Sequence, residues 1–366
     1  MNKLEPKEHF HGSDLEKIEE IYGIPKENII SFSANVNPLG ISYDLRKELP
    51  KHLDAITRYP DREYTSLRKC IGEYVHTDYE NILVGNGSTE LISLVAQIMQ
   101  PKNALIVGPT YSEYEHEISL VGGRSHYFRL QESDRFLLDI KALSKALTKD
   151  VDLLVLCNPN NPTSSQIDRQ TMRIILDNCK EHGIFVMVDE TYVEFAPHPE
   201  EITSIPLAEY YNNLIILRGI SKFAAPGLRL GYAVCGNRKL LHEIDSKKNP
   251  WTINSLAAIA GEIMFRDKAY IHDTYQLIAG ERERICRILD TQDTLTYYPP
   301  SANFVLLKIQ KEGVTSEDLF DTAIRQGLMI RDCSTFPFLD QKFIRFCFMM
   351  PEDNDKLLDV LLYKLQ

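Results

Sequence analysis

The sequence has no Cys-x-x-Cys pair, and its seven cysteines are an odd number. A disulfide framework or a structural zinc site is therefore not expected, and a reducing compartment fits better. No apolar run approaches the roughly 18 residues that a membrane span needs. The first residues, Met1 to Glu8, lack the apolar centre of a secretory signal. Basic residues are in deficit, with 41 Lys and Arg against 52 Asp and Glu and a formal net charge of −11. A phosphate backbone needs a basic surface, so nucleic acid is not the expected partner. A small anion held by a local arginine cluster stays open. Internal repeats, low-complexity segments and obvious flexible linkers are also missing. With 366 residues, 43% hydrophobic and 25% charged, the expectation is a cytoplasmic, soluble chain of two or three domains.

What is present, between about residues 80 and 235, is an alternation of short apolar runs and longer helical patterns. Asn81 to Gly85, Ala104 to Val107, Leu153 to Cys157, Ile184 to Val188, Leu214 to Leu217 and Leu230 to Val234 read as strands. Ser88 to Met99, with Leu91, Ile92, Val95 and Ile98 on one face, and Met172 to His182 read as helices. The continuous apolar run at 184–188 suits a strand covered on both faces. This predicts an α/β fold with a mostly parallel sheet flanked by helices. The last hundred residues read as a smaller α+β unit. Its helices are Lys268 to Leu289, Ser316 to Gln326 and Pro351 to Leu365, and its strands are Phe304 to Ile309, Leu328 to Arg331 and Phe343 to Cys347. The first 35 residues are expected to pack with it, giving a division at 1–35, 36–265 and 266–366.

The chemistry-bearing residues fall at the ends of these runs. Gly85-Asn86-Gly87-Ser88-Thr89, between strand and helix, offers free N–H groups and a helix dipole to an anion, with two hydroxyls added. Alone it reads as a capped helix after a turn. Tyr111, after Gly108-Pro109, could stack on a planar ring or simply pack in a core. Asn158-Pro159-Asn160-Asn161-Pro162-Thr163 fixes a turn at the carboxyl end of the sheet, where ligands of open α/β folds bind, and Asn161 presents its amide there. Asp189 ends an apolar strand, where a carboxylate is costly unless it meets a positive group; metal binding by Asp189-Glu190 is the rival reading. Lys222, between apolar stretches and near Arg229, is a candidate nucleophilic amine with a lowered pKa. Arg331 and Arg345, each placed at the end of an apolar strand, suit capture of a carboxylate or phosphate.

In this order the parts can assemble a pyridoxal-phosphate site. The Lys222 amine would hold the aldehyde as a Schiff base, and Asp189 would keep the pyridinium nitrogen protonated. Tyr192 could reach the ring's phenolic oxygen, and Arg229 with Ser221 could complete a phosphate cradle.

These motifs resemble the class I/II aminotransferase family of fold-type-I pyridoxal-phosphate enzymes, from about Ile30 to the C-terminus. The nearest branch pairs histidinol-phosphate aminotransferases with threonine-phosphate decarboxylases, both acting on phosphorylated substrates. His11-Gly12 with Phe32 to Gly40, Pro250 to Ala257 and Ile330 to Phe336 look more like the decarboxylases. Asp189 to Phe195 looks closer to the aminotransferases. The resemblance implies that Lys222 is the Schiff-base lysine and Asp189 the pyridinium partner. Asn161 and Tyr192 would contact the ring oxygen, and Tyr111 would stack on the ring. Ser88, Thr89, Ser221 and Arg229 would hold the cofactor phosphate, with Tyr59 supplied by the second subunit of a homodimer. Arg345 would bind the substrate carboxylate; Arg331, His11 and Asn35 would contact the substrate at its phosphate end. Two positions depart from the family pattern. Ser164 stands where glycine usually follows Asn-Asn-Pro-Thr, and the Lys222–Arg229 spacing is one residue short. The function expected is a decarboxylase of a phosphorylated amino acid, with an aminotransferase as the alternative and a non-catalytic cofactor-binding regulator as a remote one.

Overall fold

The computed structural model describes residues 14–366; His11 lies outside the described residues. The strands among them are β1 (Ile30–Ser31), β2 (Ile82–Gly85), β3 (Asn103–Gly108), β4 (Arg124–Arg129), β5 (Leu153–Cys157), β6 (Phe185–Asp189), β7 (Leu214–Gly219), β8 (Gly231–Val234), β9 (Leu295–Tyr297), β10 (Phe304–Ile309), β11 (Leu328–Met329), β12 (Arg331–Asp332) and β13 (Phe343–Cys347).

Seven of them form one sheet in the order β2-β8-β7-β6-β5-β3-β4. Only β8 runs antiparallel to its neighbours, so the sheet is mostly parallel, as the pattern of runs predicts. The strand missed by the sequence reading is β4. It lies at the sheet edge and reads Arg-Ser-His-Tyr-Phe-Arg, with no apolar run to mark it.

Side chains alternate across the sheet. Phe185 and Met187 of β6 pack on one face with Leu91, Ile92 and Val95 of the helix Gly87–Met99 and with Tyr114 of the helix Glu113–Leu120. Val186 and Val188 pack on the other, with Met172, Ile175 and Leu176 of the helix Arg169–His182. By the same alternation Asp189, the last residue of β6, points to the Tyr114 face, whereas Glu190 turns the opposite way.

A second, four-stranded antiparallel sheet has the order β12-β13-β10-β9. The single strand expected over Leu328 to Arg331 is broken in two. Leu328–Met329 pairs in parallel with Ile30–Ser31, and Arg331–Asp332 pairs with β13 instead. The short β1 captures one half of the run, and its two residues carry no pattern a sequence reading could find. Arg345 is also not at a strand end. It lies mid-strand in β13, with Leu306 of β10 on one side and Arg331 of β12 on the other. One continuous apolar core runs from beneath the large sheet into the small one, and this brings residues of both to a common site. Among the described residues no helix is long and apolar enough to cross a membrane. All seven cysteines are free thiols.

Candidate active site

The candidate site lies at the carboxyl ends of β5, β6 and β7. Lys222 lies three residues beyond β7, half-buried, with Nζ donating to the Ala34 carbonyl at 2.7 Å. The Asn37 N–H in turn donates to the Lys222 carbonyl at 2.9 Å. The segment 34–37 is pinned from below, because Asn37 Nδ2 donates to the Phe223 carbonyl (2.8 Å) and to Thr274 Oγ1 (2.8 Å). Burial pushes the Lys222 amine down from its ordinary 10.5 to about 8, assisted by the Arg345 and Arg229 charges and opposed by Cys347 and Asp189. That is the lowered pKa the sequence reading expects.

Asp189 is buried, and three donors address it. Tyr114 Oη donates to Oδ2 at 2.7 Å, while the Thr191 N–H and Oγ1 donate to Oδ1 at 2.9 and 2.6 Å. Burial raises its pKa against the pull of these hydrogen bonds. Tyr114 was not found from sequence; it lies three residues after Tyr111 on the helix face that meets β6, a relation that only the packing shows. The metal reading of Asp189-Glu190 does not survive, because Glu190 Oε2 receives Arg218 Nη2 at 2.9 Å on the opposite side of the sheet.

Gly87 takes φ +79, and a Cβ built there would lie 2.7 Å from Arg229 Nη2. A Cβ on Gly231 would lie 2.6 Å from Ser88 N, and one on Gly219 3.0 Å from Ser88 Oγ. Three glycines thus let β7, β8 and Arg229 close directly onto the first turn of the helix Gly87–Met99, making a cradle with backbone amides, Ser88 and a guanidinium. The short Lys222–Arg229 spacing is accommodated by a tight turn at Pro226–Leu228 and by Arg229 itself at φ 54. Thr89 hydrogen-bonds the Tyr111 hydroxyl, whose pKa burial pushes up to about 12. The Tyr111 ring stands edge-on to Tyr114 at 5.7 Å. Ser221 adjoins Lys222, half-buried.

On the facing wall, Arg345 is buried, with Nη1 donating to Asn161 Oδ1 and Nη2 to the Ser33 carbonyl at 2.6 Å. Its guanidinium lies over the Phe304 ring at 5.1 Å. Tyr192 is edge-on to the same ring at 5.0 Å, and its hydroxyl accepts from Asn35 Nδ2 at 3.3 Å. Asn35 Oδ1 is buried without a protein partner. Arg331 donates to Thr335 Oγ1 at 3.0 Å and stands cross-strand from Arg345. Two like charges directly opposed in a ladder are unfavourable, and an anion between them would relieve the repulsion.

The structure therefore brings Asn35, Ser88, Thr89, Tyr111, Asn161, Asp189, Tyr192, Lys222, Arg229, Arg331 and Arg345 to one site, with Ser221 beside Lys222 in the chain. Tyr59 stands apart, 80% exposed, with its ring against Trp251 at 4.7 Å. Ala34, Asn37 and Tyr114 belong to the site and were missed from sequence.

The sequence model of the family "Aminotransferase class I and II" matches residues 27–361, and the chain belongs to this family of enzymes. It is 35% identical over 352 residues to threonine-phosphate decarboxylase of Salmonella typhimurium, covering 96% of this chain and 95% of that one. It is 30% identical to a histidinol-phosphate aminotransferase of Methanopyrus kandleri, covering 96% and 92%. Among solved structures, the histidinol-phosphate aminotransferase from Clostridium acetobutylicum superposes with a TM-score of 0.85 at 30% identity, covering 91% of this chain and 98% of that one.

Proposed function

We propose that this chain is a pyridoxal-phosphate-dependent carboxy-lyase acting on a phosphorylated amino acid of the threonine-phosphate type. The observation that carries the reading is Lys222, an amine whose pKa is pulled down to about 8, at the junction of a buried carboxylate, a glycine-lined anion cradle and a buried arginine. The residues fit the cofactor. The cradle at Gly87, Ser88, Thr89, Ser221 and Arg229 suits its phosphate, Asp189 its pyridine nitrogen, Asn161 and Tyr192 its ring oxygen, and Tyr111 its ring face. When bound, the cofactor supplies an electron sink for the substrate's α-carbon.

With a pKa of about 8, about a tenth of the Lys222 amine is unprotonated at pH 7, so a nucleophile and its conjugate acid are both at hand. Arg345, held on two sides, takes the substrate carboxylate and fixes its orientation to the ring. Orientation decides which bond of the α-carbon breaks. Arg331 with Asn35, and His11 from the N-terminal segment, take the phosphate end. After CO2 leaves, Lys222 returns a proton to the α-carbon and the amine departs.

The reading carries with it a division into a cofactor-binding unit (36–265) and a smaller unit from both ends of the chain. It also implies a homodimer in which Tyr59 serves the partner's cofactor phosphate. Ile41, Tyr43, Leu53, Ile56, Tyr59 and Trp251 are all large and exposed, which supports an interface along that stretch.

The test uses purified protein with pyridoxal phosphate and O-phospho-L-threonine, following CO2 and the cofactor spectrum together. CO2 release with return of the lysine-bound absorbance is expected. Conversion of the cofactor to its amine form without CO2 would move the assignment to the aminotransferase, the alternative favoured by the likeness to the Clostridium structure. Silence on both, there and with histidinol phosphate and O-phospho-L-serine, would overturn the substrate class.

A further inference from the structure

Ser164 is fully buried and takes φ 59, a left-handed conformation that costs any residue carrying a Cβ. Its own N–H donates to the Asn160 carbonyl at 2.7 Å, closing the loop after β5. Its hydroxyl faces away from that loop. Oγ accepts from the Ala302 N–H at 2.8 Å and from the Ser301 N–H at 3.1 Å, while the Ser164 carbonyl also takes the Ser301 N–H at 3.0 Å. A glycine would accept the backbone conformation without strain and keep the carbonyl, but would supply no side-chain acceptor. The strained serine therefore brings one thing a glycine lacks, a second, side-chain tie between the Asn-Pro loop of the large sheet and the chain entering β10 of the small one.

What lies beyond that tie gives it a role. Residue 303 follows at once, and Asn303 Nδ2 donates to the Asn35 carbonyl at 2.9 Å, while its own carbonyl accepts the Phe348 N–H at 2.8 Å. Phe304 comes next, the ring on which both Tyr192 and the Arg345 guanidinium rest. Asn161, three residues before Ser164, receives Arg345 Nη1. The loop and the small sheet thus meet through the Arg345–Asn161 contact, through the Ser164 carbonyl and through the serine hydroxyl.

We propose that Ser164 is a positioning residue, a clasp that sets the start of β10, and through Phe304 the guanidinium of Arg345, against the Asn161 loop. The clasp thereby tunes affinity for the substrate carboxylate. This rests on the assignment of Arg345 as the carboxylate-binding group. Without the clasp, Arg345 keeps its contacts but must be ordered by the incoming substrate, so the loss falls on binding rather than on the chemical step. Lys222, Asp189 and the phosphate cradle share no hydrogen bond with Ser164, Ser301 or Ala302.

The test compares Ser164→Gly and Ser164→Ala with the wild-type holoenzyme. Glycine suits φ 59, so Ser164→Gly is expected to fold. The Ala302 amide has the serine hydroxyl as its acceptor and is the reporter. Its hydrogen exchange should quicken roughly tenfold in both variants, from the loss of one buried hydrogen bond. KM for O-phospho-L-threonine should rise about tenfold, with kcat within about twofold and the cofactor absorbance unchanged. Unchanged exchange at Ala302 in Ser164→Gly would overturn the clasp. Faster exchange with unchanged KM would overturn the positioning role. If the wild-type enzyme does not turn over this substrate, the functional reading has failed, and amide exchange alone still decides the clasp.

Discussion

Replacing Lys222 by methionine should make the cofactor-free protein more stable at neutral pH. The Lys222 amine has a pKa of about 8 in the folded chain against 10.5 for the free group. Between these values the unfolded chain binds more protons than the folded one, so stability rises with pH across that window and is penalised in full below pH 8. The penalty is roughly 3 kcal/mol at pH 7, about 2 kcal/mol at pH 9 and well under about 1 kcal/mol at pH 10.5. Methionine is close in length and removes the charge, but leaves the Ala34 carbonyl without its donor, at a cost of about 1 kcal/mol. The net expectation at pH 7 is a gain of about 2 kcal/mol. The unfolding entropy of a chain this long is on the order of 0.8 kcal/mol/K, so Tm should rise by roughly 2–3 °C. Urea unfolding of cofactor-stripped Lys222→Met and wild type at pH 7, 9 and 10.5 measures it directly. The advantage should shrink with rising pH and vanish or reverse by pH 10.5. A variant no more stable than wild type at pH 7, or one whose advantage is independent of pH, would refute the buried-amine account.

Other substitutions report on single contacts. Asp189→Asn keeps the shape and the Tyr114 and Thr191 neighbours but removes the charge. The cofactor should still bind while kcat falls by on the order of 10²-fold or more, and a rate within a few-fold of wild type would count against the role given to Asp189. Tyr114→Phe deletes one donor to a buried carboxylate, worth about 1.5–3 kcal/mol. It should raise the Asp189 pKa further and lower kcat by roughly 10–100-fold, read as a displaced pH–rate profile; an unmoved profile would show that the phenol is only packing. Arg345→Lys replaces a fork anchored on Asn161 and Ser33 with a point charge and should raise KM by on the order of 10²-fold, with cofactor absorbance intact. Equal losses for substrates with and without the carboxylate would contradict that assignment.

The parts of this fold that were legible share one property: a one-dimensional pattern reports their environment. The buried strands β5, β6 and β7 are apolar on both faces and show as continuous runs, and the site residues at their carboxyl ends could be placed at once. β4 failed because an edge strand needs no apolar run. The strand over 328–331 failed because pairing with Ile30–Ser31, about three hundred positions away, decides where it breaks, and no local pattern carries that. Tyr114 was missed for a different reason. Its meaning depends on alternation in β6 and on the helix after Tyr111 sharing one face, which becomes visible only once strand order is known. The two departures from the family pattern gain a structural account from backbone geometry. Arg229 at φ 54 brings its guanidinium back over Gly87 despite the short spacing. Ser164 keeps a conformation suited to glycine while its hydroxyl receives two N–H groups.

The proposed site puts the cofactor on Lys222, with its phosphate in the cradle built by Gly87, Ser88 and Arg229. Borohydride reduction of the holoenzyme, followed by proteolysis and mass spectrometry, tests it most directly. The account predicts one phosphopyridoxyl group per chain, on the peptide containing Lys222, and none on Lys222→Ala. A label on another lysine, or an equal label on the Lys222→Ala variant, would contradict it.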